Sequence, residues 1–170
     1  RRIRIVDVAS GNIVTKIDNP GKLGDVRWSP DGESLAFASG IDTHDPSAGR
    51  LMVADVKSGE FRNLLPGFKG HVDAIEWVDI NTIGYIASES VWTTFNTISR
   101  NGNSQQTLIN KQGPILDGFT LSSDGKTAAF DVESPEHPDE VYLYKFGEKL
   151  HRLTDHNPWL KNKNFGDQEV

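Results

Sequence analysis

The sequence predicts an all-β fold, and three observations support this prediction. Short runs rich in Val, Ile, Leu and aromatic residues alternate with Gly-containing turns along all 170 residues. No stretch shows the apolar period of about 3.6 residues that marks an amphipathic helix. A unit of two strands joined by a hairpin turn recurs along the chain, and repeats of this kind are typical of modular β architectures.

The repeated unit is clearest where an Asp-Gly turn separates two alternating strands. It occurs three times, at residues 25–37 (DVRWSPDGESLAF), 116–130 (LDGFTLSSDGKTAAF) and, in degenerate form, 74–85 (AIEWVDINTIGY). Asp31 and Gly32 supply the positive φ that a tight hairpin requires. Trp28, Trp77 and Phe119 are then predicted to be equivalent, with separations of 49 and 42 residues. This period indicates propeller blades.

Each hairpin is followed by two further predicted strands. The third strands are predicted at residues 49–56, 94–100 and 140–146, and the fourth at 60–65, 104–109 and 149–154. Residues 3–8 and 12–17 match only a third and a fourth strand. Since four strands make one blade, the sequence predicts a partial β-propeller of about three and a half blades. The regular turn spacing favours this over the alternative, an open sandwich that repeats by chance.

The predicted boundaries follow from the repeat. The second half of a blade occupies residues 1–18, whole blades occupy 19–67, 68–112 and 113–156, and a linker occupies 157–170. The chain starts with the charged and apolar alternation of a strand, which suggests a piece of a longer precursor. Closed propellers need at least about four blades, so two lateral faces are expected to be open.

Composition excludes several classes of function. The formal charge of −6 offers no basic surface for phosphates, so no nucleic-acid partner is expected. The absence of cysteine excludes disulfides, thiolate nucleophiles and Cys-ligated zinc. No apolar run approaches the roughly 20 residues of a membrane-spanning helix, so no membrane partner is expected.

The sequence also lacks recognisable catalytic and metal-binding motifs. The strained turn of an α/β-hydrolase nucleophile needs Gly-x-Ser-x-Gly; the nearest string, residues 102–106 (GNSQQ), lacks the second glycine and falls where a turn is expected. The five histidines show no paired-ligand spacing, and residues 42–45 (DTHD) lack the alternating pattern of a calcium loop. We therefore expect no catalytic residue, metal or cofactor in this chain.

The repeats resemble those of a known family. The WSPDG and LAF elements are similar to the propeller repeats of TolB-type proteins and of the non-catalytic domains of prolyl oligopeptidases. Residues 134–144 (SPEHPDEVYLY), 153–160 (LTDHNPWL) and 166–170 (GDQEV) resemble the final blade and exit linker of acylaminoacyl-peptidase-like members. The resemblance implies a parent serine peptidase that hydrolyses short peptides, with its catalytic triad on an α/β-hydrolase domain after residue 170.

The order of strands within a blade predicts which face of the propeller would contact such a domain. The loops between second and third strands lie on the same face as the end of the fourth strand, where the linker starts. Loops 41–48, 89–93 and 134–138 are therefore expected to face the hydrolase domain and gate substrate access. The candidate gating or interdomain residues are His44, Asp45, Arg50, Trp92, Glu133, His137 and Trp159.

Aromatic residues divide into two predicted groups. Six recur at strand positions and are expected to form the packing between blades: Trp28, Phe37, Trp77, Tyr85, Phe119 and Phe130. Trp92 is expected between strands and Trp159 in the linker, where exposed aromatic residues often mark an interface.

Two alternatives to the peptidase interpretation stay open. A TolB-like propeller could act as an interaction module that binds a protein through loops on one face. A homo-oligomer could also form, with two copies combining their open blades into one ring. A hydrolase domain encoded downstream of residue 170 would favour the peptidase.

Overall fold

The computed structural model describes residues 2–44 and 47–166. Fourteen strands and one short 3-10 helix are described in this part of the chain. In chain order they are β1 (Ile3–Val6), β2 (Ile13–Ile17), β3 (Leu23–Trp28), β4 (Ser34–Ser39), β5 (Arg50–Asp55), β6 (Phe61–Asn63), β7 (His71–Trp77), β8 (Thr82–Glu89), β9 (Trp92–Ser99), β10 (Gln106–Ile109), β11 (Ile115–Leu121), β12 (Thr127–Ser134), β13 (His137–Lys145), β14 (His151–Arg152) and the 3-10 helix (Pro158–Asn162).

The strands form one two-stranded and three four-stranded antiparallel sheets in consecutive order. We call β1–β2 the half-blade, β3–β6 blade A, β7–β10 blade B and β11–β14 blade C. The predicted fold class, an all-β partial propeller, is confirmed. Within residues 2–44 and 47–166, no helix has the length and apolar character needed to cross a membrane.

The Ser-x-Asp-Gly sequences fold into the hairpin turns between first and second strands. Ser29 Oγ donates a hydrogen bond to Asp31 Oδ1 at 2.5 Å, and the same carboxylate accepts the backbone N–H two residues later at 3.0 Å. Gly32 takes a φ of 71°, which a side chain with Cβ rarely adopts. Ser122 and Asp124 form the same bonds in blade C. The repeated motif therefore works as a local turn lock.

The strand register corrects one predicted equivalence. Trp28 and Trp77 each end a first strand directly before the hairpin turn. In blade C this position belongs to Leu121, which precedes the Ser122 turn, so the predicted equivalence of Phe119 with the two tryptophans is wrong by two residues. The turn hydrogen bonds fix the register, whereas the prediction had matched aromatic character.

Three apolar cores lie between successive sheets. Side chains alternate across each strand, so every sheet contributes to the core on each of its covered faces. The half-blade and blade A enclose a core around Ile17 and Phe37, blades A and B enclose one around Ile75 and Tyr85, and blades B and C enclose one around Phe95. Because each core joins consecutive blades, the sheets are arranged as in a propeller.

Most of the predicted core aromatics lie in these interfaces, and Trp28 does not. Trp77 is 8% exposed, and its Nε1 donates to the Arg27 carbonyl oxygen of blade A at 3.1 Å. Trp28, at the equivalent place in blade A, is 52% exposed. The half-blade matches only outer strands, so no described inner strand flanks Trp28. The prediction of a buried Trp28 is therefore wrong.

Candidate functional site

The candidate site is the face of the propeller that carries the loops between second and third strands. These connections are residues 40–49, 90–91 and 135–136, and the connections from one blade to the next emerge on the same side. We call this the loop face. The 3-10 helix follows β14 on the same side, because β14 is the fourth strand of blade C.

Three of the predicted gating residues occupy equivalent positions on the loop face. Arg50, Trp92 and His137 are each the first residue of the third strand of their blade. The expectation that Trp92 lies between strands is wrong: it pairs with Glu89 in the ladder across a two-residue turn. Ser90 in that turn has a φ of 65°, which lets so short a connection close.

Arg50 forms hydrogen bonds with the start of the loop that precedes it in blade A. Its Nη2 donates to the Gly40 carbonyl oxygen at 2.7 Å and its Nε to the Ser39 carbonyl oxygen at 3.3 Å. The guanidinium group therefore closes the base of the long blade A loop. His44, at the exposed part of that loop, donates its backbone N–H to Asp42 Oδ1 at 2.9 Å, and Asp45 lies outside the described residues.

His137 forms a pair with Tyr142. Its Nε2 lies 2.9 Å from the Tyr142 hydroxyl, and the two rings stack at 5.9 Å. Nδ1 lies 2.9 Å from the Pro138 carbonyl oxygen. Burial raises the pKa of Tyr142, so its hydroxyl keeps its proton and can donate to Nε2. In the tautomer that carries its proton on Nδ1, His137 would donate to the Pro138 carbonyl oxygen and accept from the Tyr142 hydroxyl.

Hydrogen bonds between blades stabilise the loop face. The Gly49 N–H donates to His71 Nδ1 at 2.9 Å, and the Val72 N–H donates to the Gly49 carbonyl oxygen at 3.0 Å. Between blades B and C, the Leu116 N–H donates to Thr93 Oγ1 at 2.8 Å. The loops thus stand on a cross-linked scaffold, which is the usual setting of binding loops.

Glu133 belongs to a cluster that the sequence did not reveal. One carboxylate oxygen each from Asp117, Glu133 and Asp139 lies within 4.8 Å of the others. Burial first, and the charges of Glu133 and Asp139 next, raise the pKa of Asp117. A β-bulge between Leu116 and Gly118 presents Asp117 beside β12, and a bulge of this kind is not visible in the spacing. Exposed carboxylates this close are common without a metal.

The segment after β14 is held to blade C by Glu140, whose side chain is fully buried. The carboxylate accepts hydrogen bonds from Arg152 Nη2 (3.0 Å), from Thr154 Oγ1, and from the backbone N–H (2.7 Å) and ring of His156. Burial alone would raise the pKa of Glu140, but these bonds outweigh it and lower the pKa to about 2. Glu140 therefore fixes the direction in which the chain leaves the blade.

The predicted linker is described in part. Trp159 lies on the 3-10 helix and is 57% exposed. The last predicted linker residues, 167–170, lie outside the described part of the chain.

The string that most resembled a nucleophile motif forms a turn. Residues 102–105 lie between β9 and β10, and Ser104 has a φ of 53°. A nucleophile elbow needs a strand-to-helix turn. The turn interpretation of this string is confirmed.

Comparison with solved structures agrees with the sheet order and the cores. A TolB protein of Agrobacterium tumefaciens matches 82% of this chain and half of its own, with a TM-score of 0.66 and 17% identity. The acylaminoacyl peptidase of Pyrococcus horikoshii matches 87% of this chain and 22% of its own, with a TM-score of 0.65 and 15% identity. The chain therefore has the fold of a partial β-propeller, which it shares with this TolB structure and this peptidase structure. The resemblance inferred from the repeats is therefore confirmed.

One curated sequence that is similar to this chain is a peptidase. Dipeptidyl-peptidase 5 of Porphyromonas gingivalis is 30% identical over 118 residues, which are 68% of this chain. The match spans only 17% of that peptidase. No protein-family model matches the chain.

Proposed function

We propose that this chain is the propeller segment of a serine peptidase acting on short peptides, and that its loop face gates access to a separate α/β-hydrolase domain. The observation that carries the proposal is the alignment of Arg50, Trp92 and His137 at the start of three third strands. The chain leaves blade C on the same face, in a direction set by Glu140.

The chemistry would belong to the hydrolase domain. A serine would attack the peptide carbonyl to form an acyl-enzyme, which water then hydrolyses. The role of this chain would be to enclose the active site of the hydrolase domain. Only short or extended peptides could then enter, and bulk water would be kept away. A rigid loop face suits this role, because a flexible loop face would not discriminate between peptides by size.

Variants of the loop face provide the functional test. In the full peptidase, Arg50→Ala releases the base of the blade A loop and His137→Ala removes the contact with Tyr142. We expect either change to alter the ratio of kcat/KM for longer over shorter peptides by about 3- to 10-fold, the scale of one lost polar contact. The measurement is kcat/KM for a series of peptides of increasing length.

Lys57→Ala is the control for these variants. Lys57 is an exposed cation in the turn between β5 and β6, on the side opposite the loop face. We expect the control to leave the length profile unchanged. A profile that is also unchanged in Arg50→Ala and His137→Ala would refute the gating proposal.

The peptidase proposal itself is tested on the native source protein. Its intact mass, the coding sequence downstream of residue 170 and hydrolysis of aminoacyl chromogenic substrates are measured together. A larger precursor with a downstream Gly-x-Ser-x-Gly and activity would support the proposal. A complete chain that ends near residue 170 and is inert would contradict it.

A second candidate function is an interaction module that binds a protein partner. The likeness to the Agrobacterium TolB protein, of which this chain covers half, favours this alternative. The inert outcome of the preceding experiment would leave it as the better account.

A further inference from the structure

The long loop of blade A ends at a glycine that is anchored to the next blade. Gly49 is buried, although residues 41–44 and 48 of the same loop are exposed. Its N–H donates to His71 Nδ1 at 2.9 Å, and its carbonyl oxygen accepts the Val72 N–H at 3.0 Å. We call these two hydrogen bonds the Gly49 contact. They join the residue before β5 to the start of β7, so they hold the end of the blade A loop to blade B.

The Gly49 contact is too close for a residue with a side chain. A Cβ at position 49 would lie 2.7 Å from the Val72 carbonyl oxygen and 3.1 Å from His71 Nε2. One of the two segments would have to shift to make room for it. The absence of a side chain at Gly49 therefore lets the backbone lie directly against the imidazole ring.

The Gly49 contact also depends on the protonation state of His71. Nδ1 can accept the Gly49 N–H only while it carries no proton of its own. In the neutral ring the proton is then on Nε2, which lies 3.9 Å from Asp73 Oδ1. A second proton, on Nδ1, would turn this acceptor into a donor that faces another donor. The imidazolium form of His71 and the hydrogen bond from Gly49 therefore exclude each other.

Other charged groups surround His71 without replacing this hydrogen bond. The charged or titratable side chains on the elements packed against the start of β7 are those of Lys22, Asp42, His44, Arg50, Glu89 and Asp117. Arg50 is bonded to the carbonyl oxygens of residues 39 and 40. Asp73 lies on the same strand as His71, so it attracts an imidazolium whether the loop is held or released. The Gly49 N–H is thus the group that a second proton on the ring displaces.

We propose that His71 is a pH-dependent latch of the loop face, in which the neutral ring holds the blade A loop to blade B and the imidazolium releases it. Imidazoles in water titrate at about pH 6.5, so the release occurs in mildly acidic solution. A buried N–H that loses its acceptor is costly, and this cost favours an opened loop in which water takes the place of Nδ1. The latch is independent of the peptidase proposal, because its contacts lie within this chain.

Hydrogen exchange of the native protein measures the state of the latch. Protection factors of the Gly49 and Val72 amides, corrected for the intrinsic effect of pH on exchange, are compared at about pH 7.5 and about pH 5, on either side of the ordinary imidazole value. We expect both factors to fall by roughly tenfold in acid, through local opening. Amides of the β12–β13 ladder in blade C are the internal reference and should keep their protection.

Two substitutions of His71 separate the acceptor from its titration. His71→Asn keeps an acceptor, because the side-chain oxygen of asparagine is bonded to Cγ as Nδ1 of histidine is, and it does not titrate in this range. We expect the Gly49 amide of this variant to be equally protected at both pH values. His71→Ala removes the acceptor, so protection should be about tenfold lower at both pH values. Circular dichroism shows that both variants fold.

His151→Asn is the matched control, since His151 is an exposed histidine of β14 in blade C. It should keep the pH response of the original protein. Equal protection of the Gly49 amide at both pH values in the original protein would overturn the proposal. A pH response that persists in His71→Asn would also overturn it, because another group, such as His44 in the same loop, would then be the one that titrates.

Discussion

Replacing Phe95 with alanine is expected to destabilise the fold by about 3–5 kcal/mol, the usual cost of deleting a buried aromatic side chain. Phe95 is fully buried at the interface of blades B and C. Its ring lies 4.9 Å from Phe130 and 5.0 Å from Phe119 in edge-on contact, and 6.0 Å from Phe146. The loss would open a cavity at the centre of that core.

Denaturant unfolding of the original chain and the variant measures this change. Because Phe95 joins two sheets, we expect amide exchange in β11 and β12 to rise before exchange in blade A. Phe165→Ala is the matched control, since Phe165 is exposed, and it should change the free energy of unfolding little. A loss below about 1 kcal/mol in Phe95→Ala would contradict the described blade interface.

Replacing Glu140 with glutamine is expected to release the segment that leaves blade C. The amide can no longer accept from Arg152, Thr154 and His156 together, and it loses the charge that these donors stabilise. We expect amide exchange of residues 154–162 to rise by roughly tenfold or more through local opening. Glu136→Gln, an exposed change in the neighbouring hairpin, is the control and should leave this exchange unchanged.

The same variant has a predicted pH dependence. Hydrogen bonding lowers the pKa of Glu140 from 4.5 to about 2. A lowered carboxyl pKa stabilises the fold above the ordinary value, and this stabilisation is lost as the pH falls towards the folded-state value. The stability difference between the original chain and Glu140→Gln should therefore be constant well above the ordinary pKa of 4.5 and shrink as the pH falls towards 2. A difference that grows on acidification would contradict the described role of Glu140.

The blades could be predicted from the sequence because the residues that define their strands and turns are close together in the chain. The turn lock around Asp31 and Gly32 and the strand alternation depend on neighbouring residues, so the all-β propeller could be inferred from one chain. Strand ends were less accurate: the third strand of blade B was expected from Thr94 and begins at Trp92. The turn before this strand has Ser90 at positive φ. It contains neither Gly nor Asn, the residues by which such a turn is usually recognised in a sequence.

The site could be predicted in outline only. Blade topology brought Arg50 and His137 to one face, and this needs only the up-and-down strand order. The partners of these residues depend on tertiary contacts, as with the clamp of Arg50 on Gly40. Glu140 was missed because nothing local distinguishes a buried carboxylate from an exposed one, although Arg152, Thr154 and His156 downstream supply its donors.

The most direct test of the peptidase account is active-site labelling of the native protein with a fluorophosphonate, followed by mapping of the labelled peptide. The account predicts a labelled serine on the same polypeptide but outside residues 1–170, within a Gly-x-Ser-x-Gly sequence. A label inside residues 1–170, or a native protein that takes no label under conditions that label a known serine peptidase, would contradict it.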